Sequence, residues 1–154
     1  MGNATRGHSQ ARQQANTHDI TLPADLRVLV VENDASTRDL IGLLLPDTYA
    51  VDDVSSAPAA RDAITAQSYD AVLMDIDLDG PESGVDLMRA LPEKKLDATP
   101  VLAVTAYAMP GDRETMLDAG FDGYLAKPFT KDQFLRAFAR LFVHDGHRPP
   151  NAGT

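Results

Sequence analysis

The chain has 154 residues, with 14 Lys and Arg against 23 Asp and Glu, a formal net charge of −9, and no Cys or Trp. This length suits one domain, and an apolar fraction of 44% with 24% charged residues excludes both a disordered chain and a membrane span. Without cysteine, disulfides, thiolate zinc sites and cysteine nucleophiles are excluded, so any chemistry uses oxygen and nitrogen groups. We therefore expect a cytoplasmic protein that does not insert into a membrane.

The two ends of the chain differ in composition from its middle. Residues 1–22 have almost no large apolar side chains and no apolar core of a secretory signal, so they are predicted to form a flexible tail. Residues 144–154 are predicted to form a second tail, which leaves a folded domain over 23–143. That domain holds 11 basic and 21 acidic residues, and its net charge of −10 argues against direct binding of nucleic acid. The four histidines, which we interpret as solvated polar residues, lie in or beside the tails: His8, His18, His144 and His147.

The first half of the domain alternates between predicted strands and helices. The apolar run RVLVV over 27–31 is typical of a strand that is covered on both faces. Leu and Ile at helical spacing before Pro46, after cap-type residues that begin at Asp34, predict the first helix. A second, more exposed strand is predicted over 49–54, and a helix of modest amphipathicity over 58–67.

The alternation continues through the middle of the domain. The run DAVLM over 70–74 predicts another buried strand, and three carboxylates follow it in a loop. Ser83 can cap a short helix that extends through Leu91. The run PVLAV over 100–104 predicts a fourth strand. The middle therefore adds two strands and one short helix.

The last third of the domain completes the pattern. Pro110 suits the first turn of a helix that Gly120 closes, and a short fifth strand is predicted over 123–126. Thr130 and Gln133 form a capping box that opens the last helix. Its apolar face is formed by Phe134, Leu135, Phe138, Leu141 and Phe142.

Five strands that alternate with five helices predict an α/β fold with one mainly parallel sheet and helices on both faces. In such sheets, ligands bind at the carboxyl ends of the strands. Polar residues follow four of the predicted strands at that edge. They are Glu32, Asn33 and Asp34 after the first strand, Asp75 and Asp77 after the third, Thr105 after the fourth and Lys127 after the fifth.

The converging residue types indicate phosphoryl chemistry. Crowded carboxylates destabilise one another's ionised forms unless a cation compensates them. Oxygen ligands without Cys or His favour Mg²⁺, which commonly also binds phosphate oxygens. A lysine and a hydroxyl at the same edge suit a transferred phosphoryl group, whose charge is spread over its oxygens. The pattern therefore predicts Asp75, at the end of a buried strand, as the nucleophile.

At these positions the sequence resembles the receiver domain of two-component response regulators, over about residues 26–143. The marks are the Glu-Asn-Asp cluster after RVLVV, the run AVLMD that ends at Asp75, the pair Thr105-Ala106, and Lys127-Pro128-Phe129 after GYLA. All four occur in order and at plausible spacing. The resemblance implies a flavodoxin-like (βα)5 fold with strand order 2-1-3-4-5.

The resemblance also implies roles for the acidic residues. Asp75 is the phosphorylation site and a magnesium ligand, and Glu32 and Asn33 occupy the paired acidic positions that manage the magnesium. The main-chain carbonyl of Asp77 supplies a further ligand.

The remaining implied roles concern the response to phosphorylation. Thr105 bonds a phosphoryl oxygen, Lys127 pairs with the phosphoryl group, and Tyr124 is the switch aromatic that turns inward in the active state. A cis peptide bond is expected before Pro128. Phosphorylation is then read out through Thr105 and Tyr124.

Three departures from the family pattern alter these expectations. Asn33 stands where a carboxylate is usual, so magnesium affinity is expected to fall. Asp79 stands where proline is common and Gly84 arrives one place late, so the loop after the third strand has an extra residue. Asp77 and Tyr107 occupy positions that tune the lifetime of the phosphoryl group, and the direction of their effect stays open.

Each candidate also has a simpler structural interpretation. The Glu-Asn-Asp cluster suits a helix cap, and in its context only Asp34 keeps that interpretation. The other simple interpretations are a strand end for Thr105, a solvated charge for Lys127, and ordinary packing for Tyr124 and Tyr107.

We therefore predict a stand-alone receiver that accepts a phosphoryl group from a histidine kinase or a histidine phosphotransfer protein. Only eleven residues follow 143, so output is expected through protein contact on the face formed by 110–143, as a monomer or a phosphorylation-dependent dimer. One alternative is a phosphorylation-independent interaction module, which metal binding would discriminate. A remote alternative is an aspartate-nucleophile phosphatase that uses Asp75 and Asp77, which turnover of an aryl phosphate would reveal.

Overall fold

The structure, a computed structural model, describes residues 20–92, 96, 98–106 and 112–143. The five strands of this part of the chain are β1 (Arg27–Val31), β2 (Ala50–Val54), β3 (Ala71–Asp75), β4 (Val101–Thr105) and β5 (Gly123–Ala126). The helices are α1 (Ala35–Leu44), α2 (Ala57–Ala66), α3 (Gly84–Ala90), α4 (Asp112–Asp118) and α5 (Lys131–Arg140). All strand pairs are parallel, and the order β2-β1-β3-β4-β5 confirms the predicted fold and strand order.

Side-chain alternation along the strands builds one core on each face of the sheet. In β1, Val28 and Val30 face one core and Leu29 and Val31 face the other, which is why residues 28–31 are all buried while Arg27 is exposed. The first core is completed mainly by side chains of α1 and α5, the second by those of α2, α3 and α4. The edge strand β2 is more exposed than β1, as predicted.

Local sequence signals account for the helix starts. Asp34 accepts a hydrogen bond from the Thr37 backbone N–H and caps α1, as predicted. A reciprocal capping box between Thr130 and Gln133 opens α5, also as predicted. These local bonds satisfy N–H groups that the first helical turn leaves without partners.

Several element boundaries differ by one or two residues from the sequence predictions. The strands β3 and β4 each end one residue later than predicted, so Asp75 and Thr105 are the last residues of their strands instead of loop residues. The register explains the extension, because Asp75 pairs with Val104 and Thr105 pairs with Ala126. Both polar residues are thereby buried within the sheet edge.

The packed chain begins before the predicted domain start at residue 23. Ile20 and Leu22, which the sequence analysis assigns to the tail, pack partly buried against the first core. The predicted helix start at Pro110 and the predicted tail over 144–154 lie outside the described residues. Over the described ranges, no helix combines the length and the apolar character that crossing a membrane requires.

Candidate functional site

Glu32, Asp75 and Lys127 meet at the carboxyl edge of the sheet. The Lys127 Nζ atom lies 2.7 Å from Glu32 Oε1 and 3.2 Å from Asp75 Oδ2. Glu32 is only 1% exposed and Asp75 only 3% exposed. One ammonium group therefore lies between two buried carboxylates, which leaves the group with a net negative charge when all three are ionised.

Asp75 is in an environment that disfavours its charge. Burial is the main cause that raises the pKa of Asp75 from its ordinary 3.8 to about 6, and the nearby charge of Glu32 also raises it. The Asp77 backbone N–H, which donates to Asp75 Oδ1 at 3.0 Å, opposes the rise, and so does the charge of Lys127. Asp75 is still mostly ionised at neutral pH, but it takes up a proton more readily than an exposed aspartate does.

Lys127 stays charged in the same place. Burial alone lowers the pKa of Lys127, but its hydrogen bond to Glu32 and the charges of both carboxylates outweigh burial and raise the pKa above its ordinary value. The strand β5 ends at the residue before Lys127, and the Lys127 N–H donates to the Thr105 carbonyl at 2.8 Å. The Lys127–Pro128 bond is cis, as expected from the resemblance.

Glu32 is held on three sides. Its backbone N–H donates to the Val54 carbonyl at 3.0 Å, which extends the β1–β2 pairing. Its Oε2 atom accepts from the Asp34 N–H at 3.0 Å, and its carbonyl accepts from Arg38 at 2.7 Å. The two backbone bonds fix the position of the residue, and the carboxylate itself is satisfied by the Asp34 N–H on Oε2 and by Lys127 on Oε1, which explains how its burial is tolerated. The contact of Arg38 had no signal in the sequence, since only the fold of α1 brings it back to the end of β1.

Thr105 and Tyr124 occupy the strands on the other side of Asp75. Thr105 is fully buried at the end of β4, one residue beyond Val104, which pairs with Asp75. Tyr124 of β5 pairs with Ala103 of β4 and packs partly buried against the second core. The edge thus places Thr105 near Asp75 in the sheet, whereas Tyr124 lies two strands away. Tyr107 lies outside the described residues.

Asn33 and Asp77 are at the rim of this site. The Asn33 Nδ2 atom donates to Asp79 Oδ1 at 3.0 Å, a contact across 46 positions that the sequence analysis did not predict. Asp77 is exposed, and its backbone N–H is the group that contacts Asp75. The departures from the family pattern at Asn33 and Asp79 marked both residues in the sequence, but not their contact with each other.

Gly84 is required by the close approach of α3 to the site. A Cβ atom at this position would lie 2.4 Å from the Asp75 carbonyl oxygen, far inside van der Waals contact with backbone. The Gly84 N–H donates to the Ile76 carbonyl at 2.8 Å, which fixes this approach. In the sequence this glycine stands out only because it arrives one place late, and its role in packing was not predicted.

The donor set fits a hard divalent cation. Two buried carboxylates share a single lysine, so the three ionised groups carry a net negative charge that a cation would offset. Carboxylate, amide and main-chain carbonyl oxygens are the ligands that Mg²⁺ prefers. No three Asp, Glu, His or Cys side chains of the described ranges are grouped closely enough to hold a metal ion. A cation here would therefore rely on two carboxylates and on neutral oxygens.

Comparison with known proteins defines the class. Residues 28–139 match the family model of the response regulator receiver domain, and the chain belongs to this family of two-component signalling domains. Receiver domains are signalling domains and not conventional enzymes. The fold, with its five parallel strands and its acidic edge, agrees with this assignment.

Relatives of several architectures share the domain. The chain is 37% identical over 112 residues to the signal transduction histidine-protein kinase BarA of Escherichia coli. The match covers 70% of this chain and 12% of BarA. It is 32% identical over 119 residues to the transcriptional regulatory protein ResD of Bacillus subtilis, covering 76% of this chain and 48% of ResD. The chain thus spans less than half the length of these two relatives.

Solved structures give the same result. The receiver domain of the sensor histidine kinase PA1611 of Pseudomonas aeruginosa, which was crystallised with magnesium in its active-site cleft, is 33% identical with a TM-score of 0.63. The match covers 77% of this chain and 98% of that chain. The chemotaxis response regulator CheY4 of Vibrio cholerae, at 23% identity and a TM-score of 0.70 over 76% of this chain and 98% of that chain, shares the fold.

Proposed function

We propose that this receiver domain accepts a phosphoryl group on Asp75 from a phosphohistidine of a histidine kinase or a histidine phosphotransfer protein. The observation that carries the proposal is the arrangement of Asp75 itself: a buried carboxylate at the end of β3, held by the Asp77 N–H and facing Lys127. A buried carboxylate with a raised pKa destabilises the folded state, and groups of this kind are concentrated at functional sites.

The chemistry follows from these contacts. An ionised Asp75 oxygen attacks phosphorus, a new P–O bond forms, the P–N bond to the donor histidine breaks, and the imidazole nitrogen keeps the electron pair. The Asp77 N–H orients the nucleophile. Lys127, which is already charged and within reach of Asp75, offers an ammonium group to the transferred oxygens.

Magnesium would be held by Glu32, Asp75, the Asn33 amide oxygen and the main-chain carbonyl of Asp77. When bound, it supplies positive charge that offsets the phosphoryl oxygens and the two buried carboxylates. The neutral Asn33 in place of a carboxylate weakens the binding relative to the family pattern.

The signal would leave the site through the sheet. Thr105 is buried beside Asp75 in the register of β3 and β4, and its hydroxyl would bond a phosphoryl oxygen, which favours an active conformer. Tyr124 would follow by turning inward from its partly buried position on β5. A downstream protein would then bind the face formed by 110–143. We propose that the chain acts in this way in the cytoplasm as a stand-alone regulator, as a monomer or a phosphorylation-dependent dimer.

Intact mass spectrometry tests the proposal. The natural chain is incubated with phosphoramidate, with and without Mg²⁺, beside Asp75→Asn and a control variant, Asp53→Asn, which removes an exposed carboxylate on β2. We expect Mg²⁺-dependent addition of one phosphoryl group to the natural chain and to the control, and none to Asp75→Asn. Labelling of Asp75→Asn would show another acceptor.

Two further outcomes would favour the alternatives. If no phosphoryl group is added and beryllofluoride does not bind, the domain is a phosphorylation-independent interaction module. If an aryl phosphate is turned over repeatedly and Asp77→Asn abolishes this turnover, the domain is an aspartate-nucleophile phosphatase.

A further inference from the structure

Asn33 and Asp79 are two departures from the family pattern that contact each other. Asn33 replaces a carboxylate after β1, and Asp79 replaces a proline in the lengthened loop between β3 and α3. The Asn33 Nδ2 atom donates to Asp79 Oδ1 at 3.0 Å. Two unusual side chains thus form one hydrogen bond at the rim of the site.

The loop holds Asp79 in a defined place although its side chain is exposed. Leu78, the residue before it, is 6% exposed and belongs to the second core. Asp79 itself forms an isolated parallel β-bridge with Ser56, the cap of α2. Gly80, the residue after it, has a φ of +94°, a conformation that glycine adopts without strain. The chain is therefore anchored by buried Leu78 and by the bridge between Asp79 and Ser56.

The bond to Asp79 determines how the Asn33 amide is oriented. An ionised carboxylate only accepts hydrogen bonds, so the atom of Asn33 that faces Asp79 has to be the nitrogen. The amide oxygen is then turned away from Asp79. Within the described residues, no protein donor is bonded to this oxygen. It is an oriented acceptor on the residue that follows Glu32.

We propose that Asp79 is a positioning residue that orients Asn33 so that its Oδ1 atom is presented to the divalent cation. This inference rests on the proposed function. Asp79 acts through Asn33, because its carboxylate accepts the hydrogen bond from Asn33 Nδ2 and, among the described residues, it does not join two other acidic side chains in a group that could hold a metal ion. A carboxylate bonded to the NH₂ group also increases the negative charge on the amide oxygen, as outer partners of metal ligands do. The pair of Asn33 and Asp79 thereby restores part of the Mg²⁺ affinity that is lost because Asn33 stands in place of a carboxylate.

Titration with Mg²⁺ alone, followed by NMR on the ¹⁵N-labelled 154-residue chain, tests this role. The chain has no Trp, so the backbone amide signal of Asp77 serves as the probe. The variants are Asp79→Ala, which removes the acceptor, and Asp79→Asn, whose amide oxygen still accepts. Asp53→Asn is the control for the loss of one exposed charge, and Asp79→Ala is repeated in an Asn33→Ala background.

We expect Asp79→Ala to weaken Mg²⁺ binding about tenfold, at the low end of the range for outer partners of ligands because the pair is exposed. Asp79→Asn should keep most of the affinity, and Asp53→Asn should stay within about twofold of the natural chain. In the Asn33→Ala background, Asp79→Ala should cause no further loss. In the metal-free protein, Asp79→Ala should also shift the Asn33 side-chain amide signals.

Other outcomes overturn the inference in distinguishable ways. If the natural chain binds Mg²⁺ and Asp79→Ala binds it equally well, the positioning role is wrong and the proposed function stands. If Asp79→Ala costs the same affinity with or without Asn33, Asp79 acts as a bare charge or a ligand. If the natural chain binds no Mg²⁺, both this inference and the metal-dependent function are refuted.

Discussion

The stability of the domain should increase when Asp75 is neutralised. A pKa of about 6 in place of 3.8 means that the ionised carboxylate costs about 3 kcal/mol of folding free energy at neutral pH, since each pKa unit is worth about 1.36 kcal/mol. Asp75→Asn removes this cost and leaves the 2.7 Å pair between Lys127 and Glu32 in place. We expect the free energy of unfolding at pH 7.5 to rise by about 2 kcal/mol. The gain is smaller than the full cost of the carboxylate, because the amide fits the remaining hydrogen bonds less well.

The sign of the pH dependence follows from the same shift. Between pH 3.8 and about 6 the folded chain binds more protons at Asp75 than the unfolded chain does, so this group's contribution to stability falls as pH rises and is constant above about 6. The advantage of Asp75→Asn over the natural chain should therefore grow by about 1 kcal/mol between pH 5 and pH 7.5.

Urea unfolding followed by far-ultraviolet circular dichroism, in EDTA, measures both quantities. Asp53→Asn is the control, since its exposed carboxylate should give a small difference that does not vary with pH. Added Mg²⁺ should stabilise the natural chain and not Asp75→Asn. The reasoning is refuted if Asp75→Asn is no more stable than the natural chain at pH 7.5, or if their difference is the same at pH 5.

Two further predictions concern stability and use the same urea assay. Lys127→Met leaves Glu32 and Asp75 buried without their cation, and we expect the free energy of unfolding to fall by about 3 kcal/mol at pH 7.5. This loss should shrink at lower pH. A loss that does not vary with pH would contradict the prediction. Gly84→Ala should lower the free energy of unfolding by about 2 kcal/mol, because its Cβ would lie 2.4 Å from the Asp75 carbonyl oxygen. Gly42→Ala on α1, where no atom lies within 4 Å of the added Cβ, should raise it by about 0.5 kcal/mol. Equal effects at both glycines would show that the close approach is unimportant.

The element pattern was predictable because it depends on local periodicity. Continuous apolar runs predicted β1 and β3, and the capping box at Thr130 and Gln133 predicted the start of α5, because these signals act within a few residues. The strand ends at Asp75 and Thr105 were placed one residue early, because polar residue types suggested loops while pairing with the neighbouring strand decided the outcome.

The sequence by itself determined that Glu32, Asp75 and Lys127 would share the carboxyl edge of the sheet, because parallel strands place their carboxyl ends together for any loop conformation. Only the tertiary structure decided how these groups interact. The contact of Asn33 with Asp79, the space that Gly84 leaves above Asp75, and the raised pKa of Asp75 depend on loop conformation, distance and burial. Those quantities are set by packing between segments far apart in the chain, and local residue patterns carry no measure of them.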